Sequence, residues 1–478
     1  MKRSVRRCLL CLPLLLGWPA GAAAQSHYWS NQFGNESVLL NGAVIGSVTD
    51  LGAVFYNPAR LLYRTDPSFV VSAKLYDWTT VTVEDGLGES RDLKESNFGG
   101  APGFLGGTFT LPFLEGHQFA YGLLTRDGSN VSYFLREQRS GDLFDFLPGT
   151  EDHFVGVVDL DVTSKDDWIG LAWAHPVSEH WSVGVTGFYF NRKLSRSSSL
   201  DLRGIGSSLD AAVLRADRAY EVSDQGLLAK VGVAWQNASL SWGLTATTPY
   251  WRLFGNGSIR YENFQSGLPT DVGGATNVLE GTVQRDLPVD WKTPWSVGTG
   301  IGWTVGEWLI HASGEYFSAV GKHPVLQAEP VLGQSTGEPI DFSVVEERRA
   351  VLNGGVGARW TPSETLSAFL SVATNFSAAP DSIVRITRYE PTVSQTSLQM
   401  DFILVGAGAS FHTRWADLTI GGNWQGSSES ARRILNLPEE GDEPESDQAK
   451  LIIRQFRFVF GFSFPFGVPG VPDGGGGA

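Results

Sequence analysis

The feature that most constrains this chain is a two-residue rhythm that runs through nearly all of it after Pro67. Phe456, Phe458, Phe460, Phe462, Phe464 and Phe466 make one face wholly aromatic, while Arg457, Val459, Gly461 and Ser463 occupy the other. Leu240, Trp242 and Leu244 alternate with Ser241, Gly243 and Thr245, and in 297–303 glycines fall between larger residues. Period two marks strands with unlike faces. Large apolar residues on one face and small or polar ones on the other fit a membrane barrel, with lipid outside and a lumen within. No run of about 18 apolar residues follows the first 24, which excludes helical spans.

The connections between these segments fall into two alternating classes. Short ones lie at Pro112 to Gly116, Pro176 to His180, Gln236 to Ala238, Val305 to Glu307, Thr361 to Glu364 and His412 to Arg414. Long polar ones lie at 84–97, 137–152, 197–217, 265–288, 320–345, 379–397 and 427–449. The strands expected between them are 67–83, 98–112, 117–135, 153–175, 181–196, 218–235, 239–264, 290–304, 308–319, 346–360, 365–378, 398–411, 415–426 and 450–466. Short turns on one rim and long loops on the other are the layout of an outer-membrane barrel. The expected fold is therefore all-β, a 14-stranded antiparallel transmembrane barrel. Trp181, Trp251, Trp291, Trp308, Trp360 and Trp415 lie near strand ends and are expected in an interfacial girdle.

The start of the chain sets the compartment. Lys2, Arg3, Arg6 and Arg7 precede an apolar stretch from Cys8 to Trp18, and Ala22-Ala23-Ala24 supplies a signal-peptidase site. Residues 1–24 read as a signal peptide, so the mature chain begins at Gln25 without either cysteine. Losing the peptide's four basic residues takes the formal charge from -15 to -19, which argues against a nucleic-acid partner. Residues 25–66 lack strand alternation. Because a fourteen-stranded barrel is wider than its own side chains can fill, this stretch is expected to fold as a plug (hatch) inside the lumen. The barrel then spans 67–466, and 467–478 form a Gly/Pro-rich tail.

Within the hatch, Asp50 and Gly52-Ala53-Val54-Phe55-Tyr56-Asn57-Pro58-Ala59 resemble the N-terminal signature of FadL-type transporters of long-chain fatty acids and other hydrophobic compounds. That family usually continues with Gly-Leu, where this chain has Arg60-Leu61. The resemblance implies passive uptake of a hydrophobic small molecule such as a fatty acid or aromatic hydrocarbon. It also implies lateral exit through a gap at a kinked third strand. Here that strand is interrupted at Arg126-Asp127-Gly128-Ser129-Asn130, and Gly128 is the expected kink. Phe55, Tyr56 and Leu61 are candidates for solute contact, with Asn57 and Pro58 setting the turn beside Asp50 and Ala59. Outer-membrane lipid and lipopolysaccharide would surround the barrel.

Enzymatic readings are weak, and no cofactor is expected. Gly333-Gln334-Ser335-Thr336-Gly337 matches GxSxG, but a nucleophile elbow needs a strand before it and a helix after it. The eight histidines show no zinc spacing. The acidic run from Glu439 to Asp447 reads as a solvated loop, with calcium bridging to lipopolysaccharide as the sharper alternative. Two rival functions stand beside uptake: a general diffusion porin, and a structural or secretion-associated barrel with a protein partner.

Overall fold

In the computed structural model, the described residues are 27–65, 69–84, 92–141, 152–206, 210–269, 275–337, 339–380, 392–393, 400–432 and 448–464. The expected signal peptide, the tail and the acidic run lie outside them. Wall strands come first: β1 (Phe69–Glu84), β2 (Leu93–Phe109), β3 (Gln118–Gly141), β4 (Asp152–Pro176), β5 (Trp181–Gly206), β6 (Ala211–Gln236) and β7 (Leu240–Thr247). A hairpin of β8 (Trp251–Pro269) and β9 (Ala275–Pro288) follows, then β10 (Ser296–Val305) and β11 (Trp308–Phe317). Short strands β12 (Val320–Leu326), β13 (Val331–Leu332), β14 (Pro339–Ile340) and β15 (Val344–Arg348) lie in the next connection. The wall resumes with β16 (Val351–Ser363) and β17 (Leu366–Asn375). Past β18 (Thr392–Val393), it ends with β19 (Phe402–His412), β20 (Asp417–Arg432) and β21 (Gln448–Phe464).

Fourteen antiparallel strands close the wall: β1 to β7, β10, β11, β16, β17 and β19 to β21. Pairing of β1 with β21, from Phe69↔Phe464 to Glu84↔Lys450, seals the ring. Closure satisfies backbone groups that lipid cannot. Alternation along β5 puts Phe188, Phe190 and Leu194 inside, and on β10 puts Val297, Ile301 and Trp303 outside.

Two expected loops are largely strand. Most of 197–217 continues β5 and β6, and 275–288 forms β9. These stretches rise past the apolar belt, so their outward positions carry Ser, Arg and Asp and read as loop. Their inward positions still alternate, with Leu200, Leu202 and Leu214 buried. The expected seventh strand, 239–264, breaks at Thr248-Pro249-Tyr250. Below the break β7 pairs with β6 and β10, and above it β8 extends the sheet on β6.

Five of the six expected girdle tryptophans face outward, and Trp308 stacks on Trp360 across β11 and β16 with centroids 5.8 Å apart. The sixth, Trp291, is a correction: it points into the lumen and is 3% exposed. Two guanidinium groups hold it there, with Arg192 and Arg348 at 4.8 and 5.4 Å from its ring centroid.

Residues 27–65 fill the lumen toward the short-turn rim. They comprise one-turn helices α1 (Glu36–Leu39) and α2 (Ala53–Tyr56), followed by a 3-10 helix, Pro58–Tyr63. Phe33, Leu39, Val44, Leu51 and Val54 are fully buried, each contributing about 1.5–3 kcal/mol. They fit because the wall is small where it meets them. A Cβ on Gly184 would sit 2.5 Å from Ala59 N, and one on Gly243 2.6 Å from both Ile45 O and Asn57 Nδ2. Gly184→Ala should therefore destabilise the seated segment by about 1–3 kcal/mol. Faster tryptic cleavage after Arg60 or Arg64 in the folded barrel, against an unchanged outward control such as Gly187→Ala, would register this.

Candidate functional site

The lumen segment is tied to the wall all the way round. Thr186 Oγ1 donates to Val54 O at 2.8 Å and Ser182 Oγ to Ala59 O at 2.9 Å. Asn423 Nδ2 donates to Val38 O at 2.8 Å and Asn41 Oδ1 at 3.0 Å, and Ser371 Oγ donates to Leu39 O at 2.7 Å. Asn41 takes φ 48° and Gly42 φ 73°, so the turn between them is left-handed. Left-handed backbone suits these two residue types.

The signature residues build this floor. Asn57 Oδ1 accepts from Ala59 N and caps the 3-10 helix, with Pro58 in its first turn. Asn57 Nδ2 donates to Ile45 O at 3.0 Å and across to Val233 O at 3.2 Å. Asp50 accepts from Ser37 N, Ser37 Oγ and Gly52 N. Tyr56 donates to Gln32 Oε1 and accepts from Phe33 N, and Leu61 lies in the packed interior. Arg60 is buried, donating to Val48 O and Gln236 Oε1, and burial pulls it down to about 10, still charged at neutral pH.

Phe55 differs from its neighbours. It is only part-buried, and its ring faces Phe33, Trp168 and Phe188 at 4.6, 6.3 and 6.4 Å. The aromatic series continues through Trp168 and Phe190, 6.4 Å apart, to Tyr250, 5.1 Å from Phe190. Arg192 then links Phe190 at 5.2 Å to Trp291. This line of rings climbs the inner face of β4 and β5 from the floor toward the long loops.

Charges flank the rings. Lys230 Nζ lies 4.8 Å from the Phe55 centroid and 3.7 Å from Glu315. Arg126 lies 5.5 Å from Phe55 and 5.8 Å from Trp168. Arg192 pairs with Asp166 at 2.7 Å. Sequence reasoning missed Lys230, Glu315, Arg192 and Asp166, and named Arg126 only as part of the break in the third strand. Their signal was a charge on the inward face of an otherwise apolar-alternating strand.

Residues 27–32 cross the lumen above the floor. On β11, Ser313 and His311 meet Ile45 and Ser47, whereas Glu315 and Phe317, nearer the long loops, meet Trp29 and Tyr28. Trp29 N also donates to Asn375 Oδ1, and Arg457 donates to Ser30 O. At β3, Arg126 Nη2 donates to Tyr28 O at 2.6 Å while Asn31 Nδ2 donates to Arg126 O at 2.9 Å.

Arg126 also marks a break in the wall. β2 pairs with β3 over six residues, from Phe109↔Phe119 to Phe104↔Leu124, and no further. β3 continues to Gly141 paired with β4 alone, and β2 continues to Leu93 paired with β1 alone. The register slip in β3 lies between Thr125 and Asp127, at Arg126. Gly128, the expected kink, sits in regular register opposite Lys165. A seam thus opens between β2 and β3 from about mid-wall to the long-loop side.

The GxSxG serine has a structural task. Ser335 and Gln334 pair with the backbone of Leu279 and Gly281, covering the outer edge of β9. Among the described residues no group of three or more His, Cys, Asp or Glu could hold a metal ion.

With this geometry in view, the fold is that of the FadL-type hydrocarbon channels. The Pseudomonas putida toluene transporter TodX aligns with TM-score 0.52 and 13% identity, covering 91% of this chain and 98% of its own. A Pseudomonas aeruginosa FadL homologue aligns with TM-score 0.54 and 10% identity, covering 92% and 100%. At such identities the likeness concerns fold. No family profile and no curated protein matches the sequence.

Two tests follow from the floor. Asn57→Ala removes a cap and a tie to the wall together and should destabilise the floor by about 1–3 kcal/mol, read as protease sensitivity of residues 27–65. Burial, the largest cause, pushes Asp50 up to about 6, against the lowering effect of its bonds from Ser37 and Gly52. A raised carboxyl binds its proton more tightly when folded. Its contribution is complete below about pH 4 and lost as pH rises through about 6. Protection of the segment should fall across that window, and Asp50→Asn should flatten the profile.

Proposed function

We propose that the chain is a bacterial outer-membrane channel for passive uptake of hydrophobic small molecules, with lateral exit into the membrane. The observation that carries this reading is a coincidence at one residue. Arg126 stands where the β2–β3 ladder stops, where the ring series reaches the floor, and where residues 28–31 cross the lumen. A solute travelling along the rings is thereby delivered to a stretch of wall where, among the described residues, β2 and β3 exchange no ladder bonds.

Physical chemistry favours this route. An apolar solute gains about 0.8 kcal/mol per methylene withdrawn from water, so rings along the wall can capture it. The floor blocks a straight course to the short-turn side, and the seam leads sideways into hydrocarbon. TodX is described as a toluene transporter and a monoaromatic hydrocarbon channel, which supports the same class of solute. The fold supports an outer-membrane location and a transport role without catalysis. Asp50, Asn57, Pro58, Ala59, Tyr56 and Leu61 hold the floor, and Phe55 is the floor residue that meets solute.

Cells expressing the full chain should accumulate radiolabelled toluene or palmitate faster than vector controls, and purified protein should give little conductance in planar bilayers. Conductance of porin size without any gain in uptake would refute the reading. Co-purification of a stoichiometric protein with neither activity would favour a secretion-associated role. For lateral exit, a photoreactive residue in place of Arg126 should capture solute during uptake, whereas capture only from the short-turn side would exclude the seam.

A further inference from the structure

At the outer end of the ring series, in ladder register with the foot of the seam through Asp127, Asp166, Arg192 and Asp224, the lumen holds polar groups for which an apolar solute has no use. Arg192 on β5, Asp224 on β6, Trp291 between β9 and β10, and Glu346 and Arg348 on β15 converge there. Trp291 joins them, being within 4.8 Å of Arg192 and 5.4 Å of Arg348, and Asp224 faces Arg192 and Tyr250. All five are more than nine-tenths buried: Asp224 is 0% exposed and Arg192, the most exposed, 6%.

Some of their capacity is spent on ion pairs, Arg192 with Asp166 and Arg348 with Glu346. The remainder is not. Arg192 Nη1, Trp291 Nε1 and Glu346 Oε2 lack a hydrogen-bond partner, and the Asp224 carboxylate has the Tyr250 hydroxyl beside it. Buried polar atoms left unpaired are costly and rare in folded proteins. Unpaired donors and acceptors gathered in one part of the lumen, two of whose guanidinium groups lie over Trp291, describe a polar site, since an apolar lining would have avoided the cost.

The set also defines its ligand. A bare hydrocarbon leaves every orphan unpaired. A carboxylate satisfies Arg192 and Trp291 but meets Asp224 and Glu346 as like charges, and an ammonium meets Arg192 and Arg348. A hydroxyl donates to Asp224 or Glu346 and accepts from Arg192 or Trp291. We propose that this chamber binds the hydroxyl head of an amphipathic solute, so that the channel takes up hydroxylated hydrophobic molecules in preference to hydrocarbons or carboxylates. The proposal rests on the uptake reading above and names its substrate class.

Uptake of radiolabelled decane, 1-decanol and decanoate by cells carrying the full chain, net of vector, tests it. Decanol should exceed the other two by about tenfold, toward the low end of the loss expected when a buried donor or acceptor is left unpaired. Asp224→Leu should remove that preference. Trp291→Phe, which keeps the ring and deletes one donor, should reduce it, with heat-dependent electrophoretic mobility confirming a folded barrel in each. Equal net rates for decane and decanol would overturn the preference while leaving hydrophobic uptake standing, and would assign the chamber to water. Vector-level rates for all three would overturn both. A preference unchanged in both folded variants would also overturn the assignment.

Discussion

The whole molecule depends on how closely the leading segment can approach the wall. A barrel of fourteen strands encloses more space than its inward side chains fill. Here the wall answers with absence: glycines at 184, 243, 300 and 406 leave backbone bare against backbone, Gly232 leaves room for the Asn57 side chain, and serine, threonine and asparagine supply the bonds. The floor is therefore held by many short polar contacts around a small apolar centre. Its location decides everything above it, because it fills the lumen toward the short-turn rim.

That arrangement creates two environments in one lumen. Near the floor, rings dominate, and the cations Arg126 and Lys230 lie over ring faces. Higher up, carboxylates and guanidinium groups pair inside the wall. Such pairs are expensive to bury and contribute little net stability compared with apolar packing. Barrel stability is therefore a weak reason for their presence on β4, β5 and β6, which accords with the ligand site proposed there.

Much of this was legible from residue order alone. Alternation located the strands, and the short and long connections fixed their number and sense, because lipid outside and floor inside impose unlike faces on each strand. The Asn57-Pro58 turn was visible because capping chemistry is local. Three things were not. The height of β5 and β6 was hidden where outward positions leave the lipid and become polar, so strand composition there equals loop composition. Trp291 was assigned to the girdle because an indole near a strand end suits both lipid interface and lumen, and only its two guanidinium neighbours distinguish them. The seam was misplaced by two residues, since Gly128 announces conformational freedom in sequence whereas the slip at Arg126 arises from contacts with Tyr28 and Asn31, almost a hundred positions away.

The seam itself poses an energetic problem that the same contacts address. Strand edges facing hydrocarbon carry unpaired amide and carbonyl groups, which lipid cannot satisfy. At the foot of the seam, the Arg126 carbonyl is bonded by Asn31 and its guanidinium by the Tyr28 carbonyl. The slip thus does not leave that carbonyl bare, because the leading segment bonds it. Because Tyr28 also stacks on Phe317 and Trp29 binds Glu315, the segment that satisfies the seam is anchored on β11 as well. Floor, crossing segment and seam are accordingly one mechanical unit, and a change in any of them is felt at Arg126.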